Sequence, residues 1–342
     1  MKLLFFILFF ILAEINMSWF KDLMAKGAKQ PQMVDAPAPK KKPVLPKVKV
    51  DLVNSQHLFY DLLFGDSVEP RTNNNLELLV IARADEILIN PKLIKFTSFP
   101  KALKETLDKI EKNCDTSQIQ NSLEQDPLLA SDVIRLVNTP IYNSSKKPIT
   151  SLKVAINSIG LEMLKEIATT ASINRMFSNN SIYFKMFGEK LWQHSLLTAR
   201  ISESKALKEG IDPYTAFFVG IVHELGKIAL YTELVNAVSN TDSDEQLGSM
   251  CFRKSMTKLS KLLTYNIVRS WPLPKEIVSP LKEFVMYKKL ENPSKLAKIL
   301  VEATLLSELC LLFDAKLIDQ DEALIILDKN NIELENIEYV IS

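Results

Sequence analysis

A chain of 342 residues is long enough for two domains, or for one large domain with extensions. Apolar residues make up 47% of it, as in ordinary globular proteins, and a formal charge of +1 argues against a uniformly basic nucleic-acid binder. Eight glycines are too few for a turn-rich sheet fold, and three scattered cysteines without a Cys-x-x-Cys spacing offer neither a zinc knuckle nor a disulfide framework.

The first segment bears on localisation. Lys2 precedes an apolar run, Leu3–Ala13, about half the ~20 residues that span a bilayer. The run is like the start of a signal peptide, but Glu14, Ile15 and Asn16 make a poor cleavage region. Met17 opens "MSWFKDLMAKGAKQ", which reads as a protein start, so translation is expected there; the rival reading is a membrane-targeting segment. Cys114, Cys251 and Cys310 are read as reduced thiols, which favours the cytoplasm. Trp19, Phe20, Leu23 and Met24 recur at helical spacing among Lys21, Lys26 and Lys29, leaving membrane association through residues 1–29 open. Five prolines and five lysines across 30–49 describe a linker, and "KVKVDLV" (47–53) alternates like an isolated strand.

From residue 51 the apolar period is mostly 3.6, which predicts an all-α fold. "HLFYDLLFG" and "LELLVIARADEIL" read as helices separated by a polar loop. "FTSFPKALKETLDKIEK" holds the next, with Leu103, Leu107 and Ile110 on one face. In "EQDPLLASDVIRLVN", Asp126 is an N-cap and Pro127 takes the first helical position, where its missing N–H costs nothing. Asn138 and Pro140 end that helix. Gly160 divides "ITSLKVAINSIG" from "LEMLKEIATTASINRMF" as a left-handed stop. "KLWQHSLLTARISESKALKEG" and "DPYTAFFVGIVHELGKIALYTEL" come next, then a polar loop over 236–248. Helices are predicted around 254–269, 274–289 and 294–313, with an acidic amphipathic tail beyond. There is no internal repeat, phosphate loop or serine nucleophile elbow.

Asp126, Pro127, Leu129, Val133, Asn138, Tyr142, Ile149, Ser151, Leu152, Ala155, Ile156 and Gly160 carry a resemblance to the first half of the HDOD domain. "LWQHSLLTARIS", "DPYTAFFVGIVHELGKIAL" and "WPLPKEI" are similar to its second half, which is like the core of the HD phosphohydrolases. The resemblance covers about residues 94–310. It implies an HD-like helical bundle of two packed subdomains, 94–187 and 188–310. A helical extension over 51–93, the linker region 17–50, the apolar stretch 1–16 and the acidic tail 311–342 would flank it. It also implies a signalling or interaction role, usual in bacterial regulatory proteins.

HD hydrolases hold metal with one histidine, an adjacent His-Asp pair and a later aspartate. By resemblance these positions fall on His194, on His223 with Glu224, and near Thr304; a further histidine of binuclear members would fall near Ser260. Glutamate is one methylene longer than aspartate, and a threonine hydroxyl is a poor ligand for a divalent ion. Glu302 is two residues from Thr304 and should face elsewhere. The set is therefore expected to be a remnant, with no metal and no cofactor. His223 is expected to bond inside the bundle, and Glu224 to pair with Lys227. The function expected is binding of a signalling protein or a small regulatory (cyclic) nucleotide between the subdomains, with no nucleic acid. Loop 138–150 is the candidate surface, through Asn143, Lys146 and Lys147. The competing class is a metal-dependent phosphohydrolase or phosphodiesterase.

Overall fold

The computed structural model describes residues 52–65, 75–90, 93, 98–139, 142–143, 147–177, 182–239 and 247–332. The apolar stretch 1–16, the amphipathic segment, the linker and Lys146 lie outside the described residues, as does the chain beyond 332. Among the described residues every regular element is helical, and none is long and apolar enough to cross a membrane. Of the expected strand 47–53, Leu52 and Val53 instead open a helix.

Two apolar cores organise the bundle. The smaller is built by α3 (Lys101–Glu111), α4 (Thr116–Glu124), α5 (Pro127–Val137) and α6 (Leu152–Asn174), around Leu103, Ile119, Leu129, Val133 and Leu164. Asp126 caps α5 as its sequence implies, accepting from Leu128 N at 3.1 Å and Leu129 N at 3.0 Å. Gly160 breaks α6 with φ 77°, a conformation that strains any residue with a Cβ. Asn138 ties down the segment after α5: its amide donates to Ile149 O and its oxygen accepts from Ile149 N. Helix α4 is an element that the sequence reading passed over.

The larger core joins α7 (Ile182–Lys208), α8 (Pro213–Val222), α9 (Leu225–Ser239), α10 (Met250–Arg269), α11 (Lys275–Met286) and α12 (Lys295–Asp314). It also takes in α1 (Leu52–Phe64) and α2 (Asn75–Ile89), through Phe59, Tyr60, Leu63, Val80, Ala84 and Ile87. The acidic tail begins with α13 (Gln320–Lys329), whose Ala323, Ile326 and Leu327 are buried in this same core. Glu77 of α2 is fully buried and accepts from Gly248 N at 2.6 Å and Ser249 N at 3.1 Å. A carboxylate is thereby placed on the N-terminal end of α10, where unpaired amides and the helix dipole favour negative charge.

Two glycines bring the later site together. A Cβ on Gly220 would meet Ala199 Cα at 2.5 Å, so α8 crosses α7 almost backbone to backbone. A Cβ on Gly226 would meet Ser260 O at 1.9 Å, so the start of α9 lies as tightly on α10. The seam is hydrogen-bonded as well: Gly226 N donates to Thr264 Oγ1, which donates to His223 O.

Candidate functional site

His223 caps the end of α8, and with Glu224 it makes the turn into α9. The Gly220 crossing places this turn beside His194 of α7. The Nε2 atoms of the two imidazoles stand 3.2 Å apart, and Glu224 Oε1 is 3.5 Å from each. His194 is 0%, His223 1% and Glu224 4% exposed. The extra methylene of glutamate therefore does not carry its oxygen away from the histidines, contrary to the sequence expectation. His194, His223 and Glu224 form a group of ligand atoms lying within 4.8 Å of one another.

Thr304 does not join them. Its hydroxyl donates to Leu300 O at 2.7 Å, one turn back along α12. Ser307, three residues on and on the same face, meets the outer nitrogen of His194 instead, with its Oγ 2.8 Å from Nδ1. Ser307 Oγ also lies 2.6 Å from Thr198 Oγ1 and 2.9 Å from Thr304 O. Glu302 faces away and pairs with Lys205. Ser260 is buried against the Gly226 seam.

The polar atoms close on one another. His223 Nδ1 donates to Gly220 O at 2.6 Å, which leaves its Nε2 as an acceptor. His194 Nε2–H meets that acceptor, and its Nδ1 then receives the Ser307 hydroxyl proton. Burial pushes His223 down to about 3, although the Glu224 carboxylate pulls the other way, so the ring is neutral at physiological pH.

Lys227 is the cation of this centre. Its Nζ is 2.6 Å from Glu224 Oε1, and the two side chains are only 11% and 6% exposed. Burial opposes ionisation of Glu224, but the ammonium beside it holds the carboxyl well below the usual range. Burial likewise opposes the charge on Lys227, and Glu224 outweighs it, raising the ammonium above its ordinary value. Above the pair lies α1: Phe59 packs 4.9 Å from the His194 ring, and Lys227 Nζ sits 5.5 Å from the Phe59 centroid and 5.9 Å from that of Tyr60. Tyr60 and Asp61 anchor this helix to α10, through Thr257 at 2.9 Å and Arg253 at 2.5 Å.

The comparisons with known proteins bear on family and fold. The HDOD domain family matches residues 96–284, just over half of the chain. The chain belongs to the HDOD family. Among solved structures, a protein of Shewanella amazonensis SB2B provisionally assigned as a metal-dependent phosphohydrolase superposes with TM-score 0.54 at 16% identity. The match covers 78% of this chain and 94% of that one. A second protein of the same organism, provisionally a phosphohydrolase, gives 0.52 at 20% identity, covering 76% and 92%. At such identities the likeness establishes the fold: an HD-like all-α bundle. No curated protein matches the chain.

The HD-like fold implies a divalent ion; His194, His223 and Glu224 converge as three candidate ligands, and Lys227 stands beside them as a competing cation. An ion bound at about 2.1 Å to Glu224 Oε1 would lie within about 5 Å of the Lys227 ammonium, in a buried setting where like charges repel strongly. Ser307 lies on the Nδ1 side of His194, away from that centre, so among the described residues no second carboxylate joins the three converging groups. The Nδ1 bonds of His223 to Gly220 O and of His194 to the Ser307 hydroxyl hold both rings with Nε2 toward Glu224. Glu308, the next acid on α12, is not among the converging ligand atoms; burial raises its carboxyl.

The surface expected to bind a partner is itself partly spent on structure. Asn143 donates to Lys147 O at 2.7 Å, holding the loop rather than presenting its amide. The sequence reading missed Ser307, Phe59 and the burial of Lys227. For Ser307 the signal was present, since it shares the apolar stripe with Thr304. Nothing local marks Phe59 as the cover of a site 135 residues away.

Proposed function

We propose that this HDOD protein is a non-catalytic regulatory module, which binds a signalling protein or a small regulatory nucleotide instead of hydrolysing a phosphoester. The observation that carries the reading is the Lys227 ammonium against Glu224 Oε1, which gives the buried carboxylate its counter-charge without an ion. The groove between the two subdomains, bordered by loop 138–150, is the proposed recognition surface. The residues of that loop are largely polar and include Lys146 and Lys147, which suit an anionic group.

A metal-dependent phosphohydrolase is the second reading, favoured by the convergence of His194, His223 and Glu224 and by what the two Shewanella proteins are provisionally called. Metal analysis of protein purified without chelators, followed by a phosphodiesterase assay with manganese, iron or magnesium, separates the two. The regulatory reading expects no stoichiometric metal and no turnover that depends on His223. Tightly held metal, together with turnover abolished in His223→Ala, overturns it.

A further inference from the structure

The two cores meet at a second polar cluster, which the site above does not use. Arg200 of α7 reaches across to the smaller core. Its Nη1 donates to Glu166 Oε2 of α6 at 2.6 Å and to Glu203 Oε2 of α7 at 2.8 Å. Its Nη2 donates to the Tyr142 hydroxyl, in the loop between α5 and α6, at 2.6 Å. The guanidinium lies 4.8 Å from the Phe217 centroid of α8, which closes its other side. The Glu166 side chain is 10% exposed and that of Glu203 23%.

The charge count is uneven. Two carboxylates share one nitrogen of one guanidinium. Lys165, next in sequence, is turned to Glu162 at 2.5 Å and to the Tyr214 ring at 4.8 Å. Tyr214 of α8, near Glu111 and Asp212, is neutral and bonded to Thr169. With both carboxylates ionised the cluster carries a net negative charge, which the burial of Glu166 disfavours; with Glu166 protonated it is neutral. We propose that Tyr142, Glu166, Arg200 and Glu203 form a proton-operated joint between the subdomains. While Glu166 is protonated, both carboxyls fit on Nη1 and Nη2 holds Tyr142. When the proton leaves, each carboxylate takes its own N–H, and Tyr142 is released.

The direction of titration agrees. Burial, reinforced by Glu203 and opposed by Arg200, pushes the Glu166 carboxyl up to about 7. For a group titrating there, the ionised fraction rises from roughly 0.1 at pH 6 to roughly 0.9 at pH 8, about a ninefold change. The joint adds regulation to the proposed recognition groove and rests on that reading only for its biological consequence.

Hydrogen exchange of the full-length protein between pH 6 and 8, corrected for the intrinsic pH dependence of exchange, tests it. Peptides covering residues 142–152 are expected to lose protection with a midpoint near pH 7. Glu166→Gln removes the step and keeps the loop protected at pH 8. Glu203→Gln, at the more exposed position, does the same by leaving Glu166 the sole carboxylate on Arg200. A merely structural role would lower protection equally at every pH. Flat protection in the wild type, or a step that survives in both variants, overturns the joint. Metal content and phosphodiesterase activity do not enter this readout, so the proposed function fails or stands separately.

Discussion

Lys227→Met tests the charge balance of the buried centre most directly. The substitution keeps the length and apolar stem of the side chain and removes the cation hydrogen-bonded to Glu224. The remaining carboxylate, 4% exposed and facing the two imidazoles, loses its counter-charge. Breaking one side of such a buried pair costs about 3–5 kcal/mol, a large share of the 5–15 kcal/mol typical of a domain. The double variant Glu224→Gln/Lys227→Met removes both charges and should return to within about 1–2 kcal/mol of wild type, because buried pairs are often no better than neutral replacements. Urea unfolding at pH 7.5 of the wild type, both single variants and the double gives the coupling energy. The reasoning is refuted if Lys227→Met costs under about 1 kcal/mol. It is refuted equally if manganese or zinc binds the wild type stoichiometrically, since Glu224 and the histidines would then hold an ion beside the ammonium.

Other outcomes rest on the packing and on the titrating groups. Gly226→Ala should destabilise by more than about 2 kcal/mol in thermal unfolding, because its methyl would collide with the Ser260 carbonyl rather than with a side chain that can turn aside. Phe59→Ala should cost about 3–5 kcal/mol and raise the reactivity of His194 toward diethyl pyrocarbonate, since the ring is the cover over that imidazole. Glu77→Gln should cost about 1–3 kcal/mol in urea unfolding by removing the charge that meets Gly248 N and Ser249 N. Two groups act oppositely on stability below neutrality. The folded value of His223 is depressed to about 3, so its contribution is complete above about 6.5 and is lost as pH falls toward 3. The folded value of Glu166 is raised to about 7, so its contribution is complete below about 4.5 and is lost as pH rises through 7. Thermal unfolding from pH 4.5 to 7.5 should therefore show a shallow profile, made steeper in one direction by His223→Gln and in the other by Glu166→Gln.

Spacing and local chemistry made part of the fold legible in the sequence. Asp126–Pro127 and Asp212–Pro213 marked helix starts, and both aspartates accept from the first turn of their helices. Gly160 marked a break and has the positive φ that a break needs. The His223–Glu224 turn with His194 was legible as a site because the chain has so few histidines. Helix α4 was missed because "TSQIQNSLE" buries only Ile119, Ser122 and Leu123, too thin an apolar stripe to stand out. Thr304 and Ser307 lie one turn apart on α12, and periodicity cannot distinguish hydroxyls on one face of a helix. The Arg200 cluster and the Glu77 bond join residues 34 to 171 positions apart. No pattern in the linear chain encodes such pairings; they exist only once the helices have packed.

The Glu77 bond also bears on where this protein can be cut. The family match begins at residue 96, yet the carboxylate that receives two amides of the 248–249 turn comes from position 77. A fragment trimmed to the shared region would shed that anion, strip the aromatic cover from Phe187, Tyr231 and Phe252, and bare His194 to water. The region matched to the family is thus smaller than the packed unit, and expression should start upstream of Leu52.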